Sequence, residues 1–130
     1  MSFLEGLNKD QRSAVEKVEG PVIVFAGAGT GKTKTLTTRI AYMITEKDID
    51  PKNILAITFT KKATNEMRER VIKLSGVNAK YVTISTIHAF CARILRQTIS
   101  KIGYDQKFEI VDEEDVNKII VDIYKELDLS

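Results

Sequence analysis

The feature that most constrains this chain is an unbroken apolar run that leads into glycines and then into a helical pattern. Pro21 opens it, and Val22-Ile23-Val24-Phe25-Ala26 has the length and β-branched content of a buried strand. Gly27-Ala28-Gly29-Thr30-Gly31 follows, and from Lys32 to about Thr45 the residues Leu36, Ile40, Met43 and Ile44 fall on one helical face. Further along, Asn53–Phe59 reads as a second strand and Tyr81–Ser85 as a third. Each is followed by a helical pattern: Lys61–Leu74 with Ala63, Met67, Val71 and Leu74, then a helix with Ile87, Phe90, Cys91, Ile94 and Leu95 on one face. Cys91 on that stripe reads as a core thiol. Strands apolar on both faces that alternate with helices predict an α/β fold, a parallel sheet covered by helices on both sides. Asn8–Glu19 reads as a helix before the first strand. Phe108–Val111 reads as a short strand, and Asp112 caps a last helix with Val116, Ile119, Ile120, Ile123, Tyr124 and Leu127. Three clear strands are few for such a sheet, which predicts an incomplete one.

The stretch Ala26-Gly27-Ala28-Gly29-Thr30-Gly31-Lys32-Thr33 lies where strand passes into helix, the place of a phosphate-binding loop. Glycines let successive backbone N–H groups curl around a β-phosphate along a path that side chains would block. Those N–H groups and the start of the next helix supply positive potential. Lys32 would reach the β- and γ-phosphates, and the Thr33 hydroxyl would ligate Mg²⁺. Ala26 stands where the usual G-x-x-x-x-G-K-[ST] pattern has its first glycine, a variant with the smallest available side chain. The loop indicates a nucleoside triphosphate with magnesium and does not indicate the reaction, because kinases, GTPases and motors share it.

Charge is unevenly spread over the 130 residues, although the net is only +2. Residues 61–101 carry nine basic and two acidic side chains, whereas residues 102–130 carry three basic and nine acidic. The cationic middle suits a polyanion. No apolar run approaches a membrane span and the first residues lack a secretory pattern, so the expectation is no membrane and a cytoplasmic protein. The one cysteine can neither staple the chain internally nor build a Cys-rich zinc site.

Three further segments narrow the reading. Leu7-Asn8-Lys9-Asp10-Gln11 resembles the Q motif, L-N-x-x-Q, of the UvrD/Rep/PcrA group of superfamily-one DNA helicases, although Asn8 and Gln11 also fit a helix capping box. Thr58-Phe59-Thr60-Lys61-Lys62-Ala63-Thr64-Asn65-Glu66-Met67-Arg68-Glu69-Arg70 resembles that family's motif Ia, T-F-T-N-K-A-A-x-E-M-R-E-R, with Lys61 and Thr64 as departures. The stretch from Thr83 to Arg96, with Thr86-Ile87-His88, resembles motif Ib. The resemblance covers roughly residues 7–112, with the four motifs in order.

The resemblance implies a RecA-like P-loop NTPase three-layer fold, incomplete here and ending in the first helix of an inserted helical domain. Residues 1–107 would be the amino-terminal part of the ATP-binding domain, and residues 108–130 would begin the insertion. Gln11 would read adenine through both amide donor and acceptor, favouring ATP. Lys34 stands where these helicases often carry Arg near the base. Phe59 would stack on a base, and Thr60, Lys62, Thr86 and His88 would hold the backbone of single-stranded DNA. The implied activity is that of an ATP- and Mg²⁺-dependent 3′–5′ DNA helicase of repair or replication acting on single strands and single/double-strand junctions. The acidic magnesium-site pair and the arginine fingers lie outside this stretch, which implies a protein several times longer and an inactive piece in isolation. A RecB/AddA-type helicase–nuclease motor, a P-loop kinase and a non-enzymatic nucleotide- or DNA-binding remnant are the competing readings.

Overall fold

The computed structural model describes residues 4–27, 29 and 31–128. The chain divides into two compact units, Met1–Phe90 and Cys91–Ser130. Among the described residues it is a mixed α/β arrangement of five α-helices and one two-stranded parallel sheet.

In the first unit, α1 (Lys9–Glu16) starts at Asn8, whose side chain accepts from the Gln11 N–H at 2.8 Å, while Gln11 Oε1 accepts from the Asn8 N–H at 3.0 Å. This reciprocal pair satisfies two donors that a helix start otherwise leaves open. The helix ends three residues before the predicted Glu19. Lys17 is extended, and the chain turns through Gly20, at φ +76°, into Pro21, a residue whose predecessor is disfavoured in helix. Ala14 and Val15 are its buried residues.

Helix α2 (Lys32–Thr45) has the predicted bounds and buries Ile40 and Ala41. It also buries Thr35 and Thr37, whose hydroxyls donate back to the carbonyls of Gly31 and Thr33. A 3-10 turn at Pro51–Asn53 leads to β1 (Leu55–Thr58). Helix α3 (Lys61–Ser75), a second 3-10 turn (Val77–Tyr81) and β2 (Thr83–Thr86) follow. The two strands run parallel in the register Leu55–Thr83, Ala56–Ile84, Ile57–Ser85 and Thr58–Thr86. The core joins Ile40 of α2, Met67 and Val71 of α3, Ile84 of β2, and Ile54, Ala79 and Val82 from the turns that enter the strands. Leu55 and Ile57 alternate to the other face of the ribbon and are exposed, so helices cover one face where two were expected.

The predicted strand Val22–Ala26 is not a strand. A strand exists through its ladder, and among the described residues β1 and β2 pair only with each other. The run is irregular and open to solvent, with Phe25 94% exposed.

Helix α4 (Ile87–Thr98) begins in the first unit and ends in the second. Cys91 is exposed, not a core thiol, and Ile87, Ile94 and Leu95 on the same stripe are exposed with it. An apolar stripe states which face needs cover and does not supply the cover. In the second unit a 3-10 turn (Ile99–Ile102) stops at Gly103, at φ +87°. The Arg96 guanidinium lies 5.5 Å from the centroid of the Phe108 ring. Residues 108–111 are irregular, so the predicted short strand is absent for the same want of a ladder partner. Helix α5 (Glu113–Glu126) starts where Asp112 predicts, with a reciprocal cap between Asp112 and Asp115. Its apolar residues are exposed. No helix of the described residues is long and apolar enough to cross a membrane.

Candidate functional site

Three sequence elements meet at the start of α2. Gly31 adopts φ +82° and Gly29 φ +76°, the left-handed region that side chains disfavour. They turn the chain so that α2 opens directly after the glycines, its first N–H groups at the loop and no acidic residue in its first turn. The Lys32 ammonium bends back over the loop and donates to the carbonyls of Gly27 at 2.7 Å and Ala26 at 3.1 Å. Ala28 and Thr30, also expected to hold phosphate, lie outside the described residues.

Beside the loop is a cleft of about 430 Å³ lined by Asn8, Gln11, Ala26, Gly27, Lys32 and Leu36 among others. Leu36, expected on the packed face of α2, is half exposed at this cleft. A Cβ on Gly31 would lie 3.1 Å from Gln11 Nε2, so the Gln11 carboxamide sits against the loop. Its oxygen closes the α1 cap while its nitrogen lies at Gly31. Thr33 is exposed on the first turn of α2, and Lys34 beside it donates to the Gly6 carbonyl at 2.7 Å.

This donor set fits a polyphosphate: a lysine ammonium, a helix start free of acidic residues and glycines in the conformation a cradle needs. A magnesium ion would be held by the Thr33 hydroxyl together with the phosphates. Among the described residues no cluster of three or more His, Cys, Asp or Glu offers a separate metal site. On the solvent side of α1, Arg12 donates to Glu16 at 2.8 Å, and this hydrogen bond raises the guanidinium pKa.

The second group of candidates gathers at the carboxyl ends of the strands. The register sets Thr58 beside Thr86, so the chain leaving β1 and the chain leaving β2 emerge together. Phe59 leaves β1 95% exposed, which excludes a core role. Thr60 caps α3 by accepting from the Ala63 N–H at 3.1 Å, and Lys62 is exposed on the first turn. Thr86 accepts from the Ala89 N–H at 3.3 Å at the start of α4, and His88 is exposed there.

Positioning groups that sequence reasoning did not single out hold this edge in place. The Thr58 and Thr64 hydroxyls lie 2.6 Å apart, and each lies within reach of the Thr60 carbonyl, at 3.2 and 3.1 Å. Two hydroxyl protons serve three oxygens, which pins the bend that carries Phe59. Arg68 Nη2 donates to the Ile84 carbonyl at 2.8 Å and ties α3 to β2. A pocket of about 270 Å³ opens beside that tie, lined by Lys61, Asn65, Arg68, Ile84, Ser85 and Thr86 among others. The available signal was the departure from the motif at Thr64 and the helical spacing of Lys61, Asn65 and Arg68 on one face.

Residues 7–130 match the UvrD/REP helicase N-terminal domain. The chain belongs to the UvrD/REP helicase family. All four segments that carried the resemblance lie within the matched span of this UvrD/REP domain. The ATP-dependent DNA helicase PcrA of Staphylococcus aureus (strain Mu50) is 48% identical over 124 residues, 95% of this chain and 17% of that helicase. PcrA of Staphylococcus epidermidis (strain RP62A) is 47% identical over the same shares. The chain thus spans 17% of the length of these curated UvrD/REP relatives.

Proposed function

We propose that this chain is the amino-terminal part of the RecA-like ATP-binding domain of an ATP-dependent DNA helicase. It would couple ATP hydrolysis to 3′–5′ movement on single-stranded DNA and to duplex separation at single/double-strand junctions in the cytoplasm, serving repair or replication. The observation that carries this reading is the Lys32 ammonium held over the glycine loop at the start of α2, with the Gln11 carboxamide against Gly31. Two groups with opposite tasks meet there. Lys32 and the helix start attract a triphosphate, and a carboxamide can pair with a base edge.

In this reading Ala26–Thr33 wraps the phosphates, and Lys32 neutralises charge that builds on the β- and γ-oxygens during cleavage. The Thr33 hydroxyl would help hold Mg²⁺, which when bound would supply further charge neutralisation. Gln11 reads adenine. Phe59 offers one base a stacking face, while Thr60, Lys62, Thr86 and His88 hold the adjoining backbone. The common edge of β1 and β2 links these two contacts, and the Thr58–Thr64 and Arg68–Ile84 bonds stiffen it. Residues 1–107 form the ATP-binding part, and residues 108–130 begin an inserted helical domain. Helix α5, capped at Asp112, falls in that second part, while the compact units themselves divide at Phe90/Cys91. The rest of the helicase chain supplies the remaining magnesium ligands and the arginine fingers, so this stretch alone hydrolyses ATP negligibly.

ATP hydrolysis by the full-length protein, measured with and without single-stranded DNA, tests the proposal. Strong stimulation by DNA is expected. DNA-independent phosphoryl transfer to a small acceptor would indicate a P-loop kinase instead.

A further inference from the structure

Phe59 is 95% exposed, so packing does little to set the direction of its ring. The direction comes from the backbone on either side, and that backbone is strapped. Thr58 Oγ1 lies 3.2 Å from the Thr60 carbonyl, a hydrogen bond that spans Phe59 alone. Thr64 Oγ1 lies 3.1 Å from the same carbonyl and 2.6 Å from Thr58 Oγ1, while the Thr64 N–H donates to that carbonyl at 3.0 Å. Thr58 and Thr64 are both buried, and each end of the strap is held independently. Thr58 pairs with Thr86 in the ladder, and Thr64 shares the buried face of α3 with Met67 and Val71. The bend around Phe59 is thus tied to the sheet at one end and to the helix at the other. Thr64 is also one of the two positions where this sequence departs from motif Ia, which has alanine there, so the second hydroxyl is an addition to the motif.

We infer that Thr64 is a positioning residue for single-stranded DNA: its hydroxyl orders the Thr58–Thr60 bend in advance, so that Phe59 already stands presented when a base arrives. This rests on the reading of Phe59 as a base-stacking ring given above. Without the Thr64 hydroxyl the bend keeps one strap, from Thr58, and part of the ordering of Phe59 must then occur on binding. Contacts to the DNA phosphates stay as they are, because Thr64 is buried and carries no charge.

The test uses the full-length protein and fluorescence anisotropy with two probes. One is an oligothymidylate, and the other is a strand of abasic sites of equal length, which keeps the phosphates and has no base to stack. Thr64→Ala should weaken oligothymidylate binding about fivefold, the scale of ordering one residue's backbone, and leave binding of the abasic strand unchanged. The slope of log affinity against log salt should also stay unchanged, since no phosphate contact is lost. Thr64→Ser keeps the hydroxyl and should restore the affinity. Thr64→Val keeps the shape without the hydroxyl and should behave like Thr64→Ala. In a Phe59→Ala background Thr64→Ala should have no further effect, since the strap acts through Phe59. Unchanged oligothymidylate binding by Thr64→Ala would overturn the inference. So would an equal loss on the abasic strand or a full further loss in the Phe59→Ala background, either of which marks a general structural role. If Phe59→Ala alone left oligothymidylate binding unchanged, the base-stacking reading would fail and the positioning role with it.

Discussion

Gln11 and Gly31 lie so close that a methyl group at Gly31 would fall 3.1 Å from Gln11 Nε2. Gly31 also holds φ +82° at the cap of α2. Gly31→Ala therefore meets two costs, about 1–2 kcal/mol of left-handed strain and displacement of the Gln11 carboxamide. Thermal unfolding should register the first cost. A nucleotide titration should register the second as weaker ATP binding.

Phe59 separates stability from recognition. It is 95% exposed, so Phe59→Ala should change stability by less than about 0.5 kcal/mol. Single-stranded DNA affinity should fall by about 1–3 kcal/mol, the value of one base–aromatic stack, and Phe59→Trp should retain it. Chemical denaturation and fluorescence anisotropy with an oligonucleotide measure the two quantities.

The Thr58–Thr64 hydroxyl pair predicts a cost at a position where an apolar side chain would seem harmless. Thr64→Val removes a buried hydrogen bond at unchanged shape and should destabilise by about 1 kcal/mol, while Thr64→Ser should be milder. Urea unfolding monitored by circular dichroism reads the difference.

Arg68 ties α3 to β2 through the Ile84 carbonyl. Arg68→Met should cost about 1 kcal/mol, low for a charged donor because Arg68 is exposed. It should also weaken single-stranded DNA binding, since the ends of β1 and β2 would no longer be held in phase. Urea unfolding and oligonucleotide anisotropy report the two effects.

Much of this was legible in the sequence where local chemistry decides. The glycines before Lys32, the cap residues Asn8 and Asp112, and the apolar stripes of α2 and α3 all specify structure within a few residues of themselves. Elements that depend on distant partners were not legible in the same way. Val22–Ala26 has the composition of a buried strand, yet a strand is made by its neighbours, and the run is exposed. Cys91 shares a stripe with Ile87, Ile94 and Leu95, yet periodicity shows only which face seeks cover. At the site, Lys32 and Gln11 announced themselves through motifs. The bonds that place the motifs were invisible because they end on backbone carbonyls: Lys34 on Gly6, Arg39 on Ala14 and Arg68 on Ile84. A carbonyl carries no residue identity, so no pattern of letters records such a bond.

The central claim is that the loop closed by Lys32 holds the triphosphate and drives a DNA-dependent motor. Its most direct test is single-stranded-DNA-stimulated ATP hydrolysis by full-length protein carrying Lys32→Ala, read beside oligonucleotide binding by the same variant. The account predicts that turnover is lost while DNA binding stays near that of the unmodified protein. Normal turnover in the variant would contradict it.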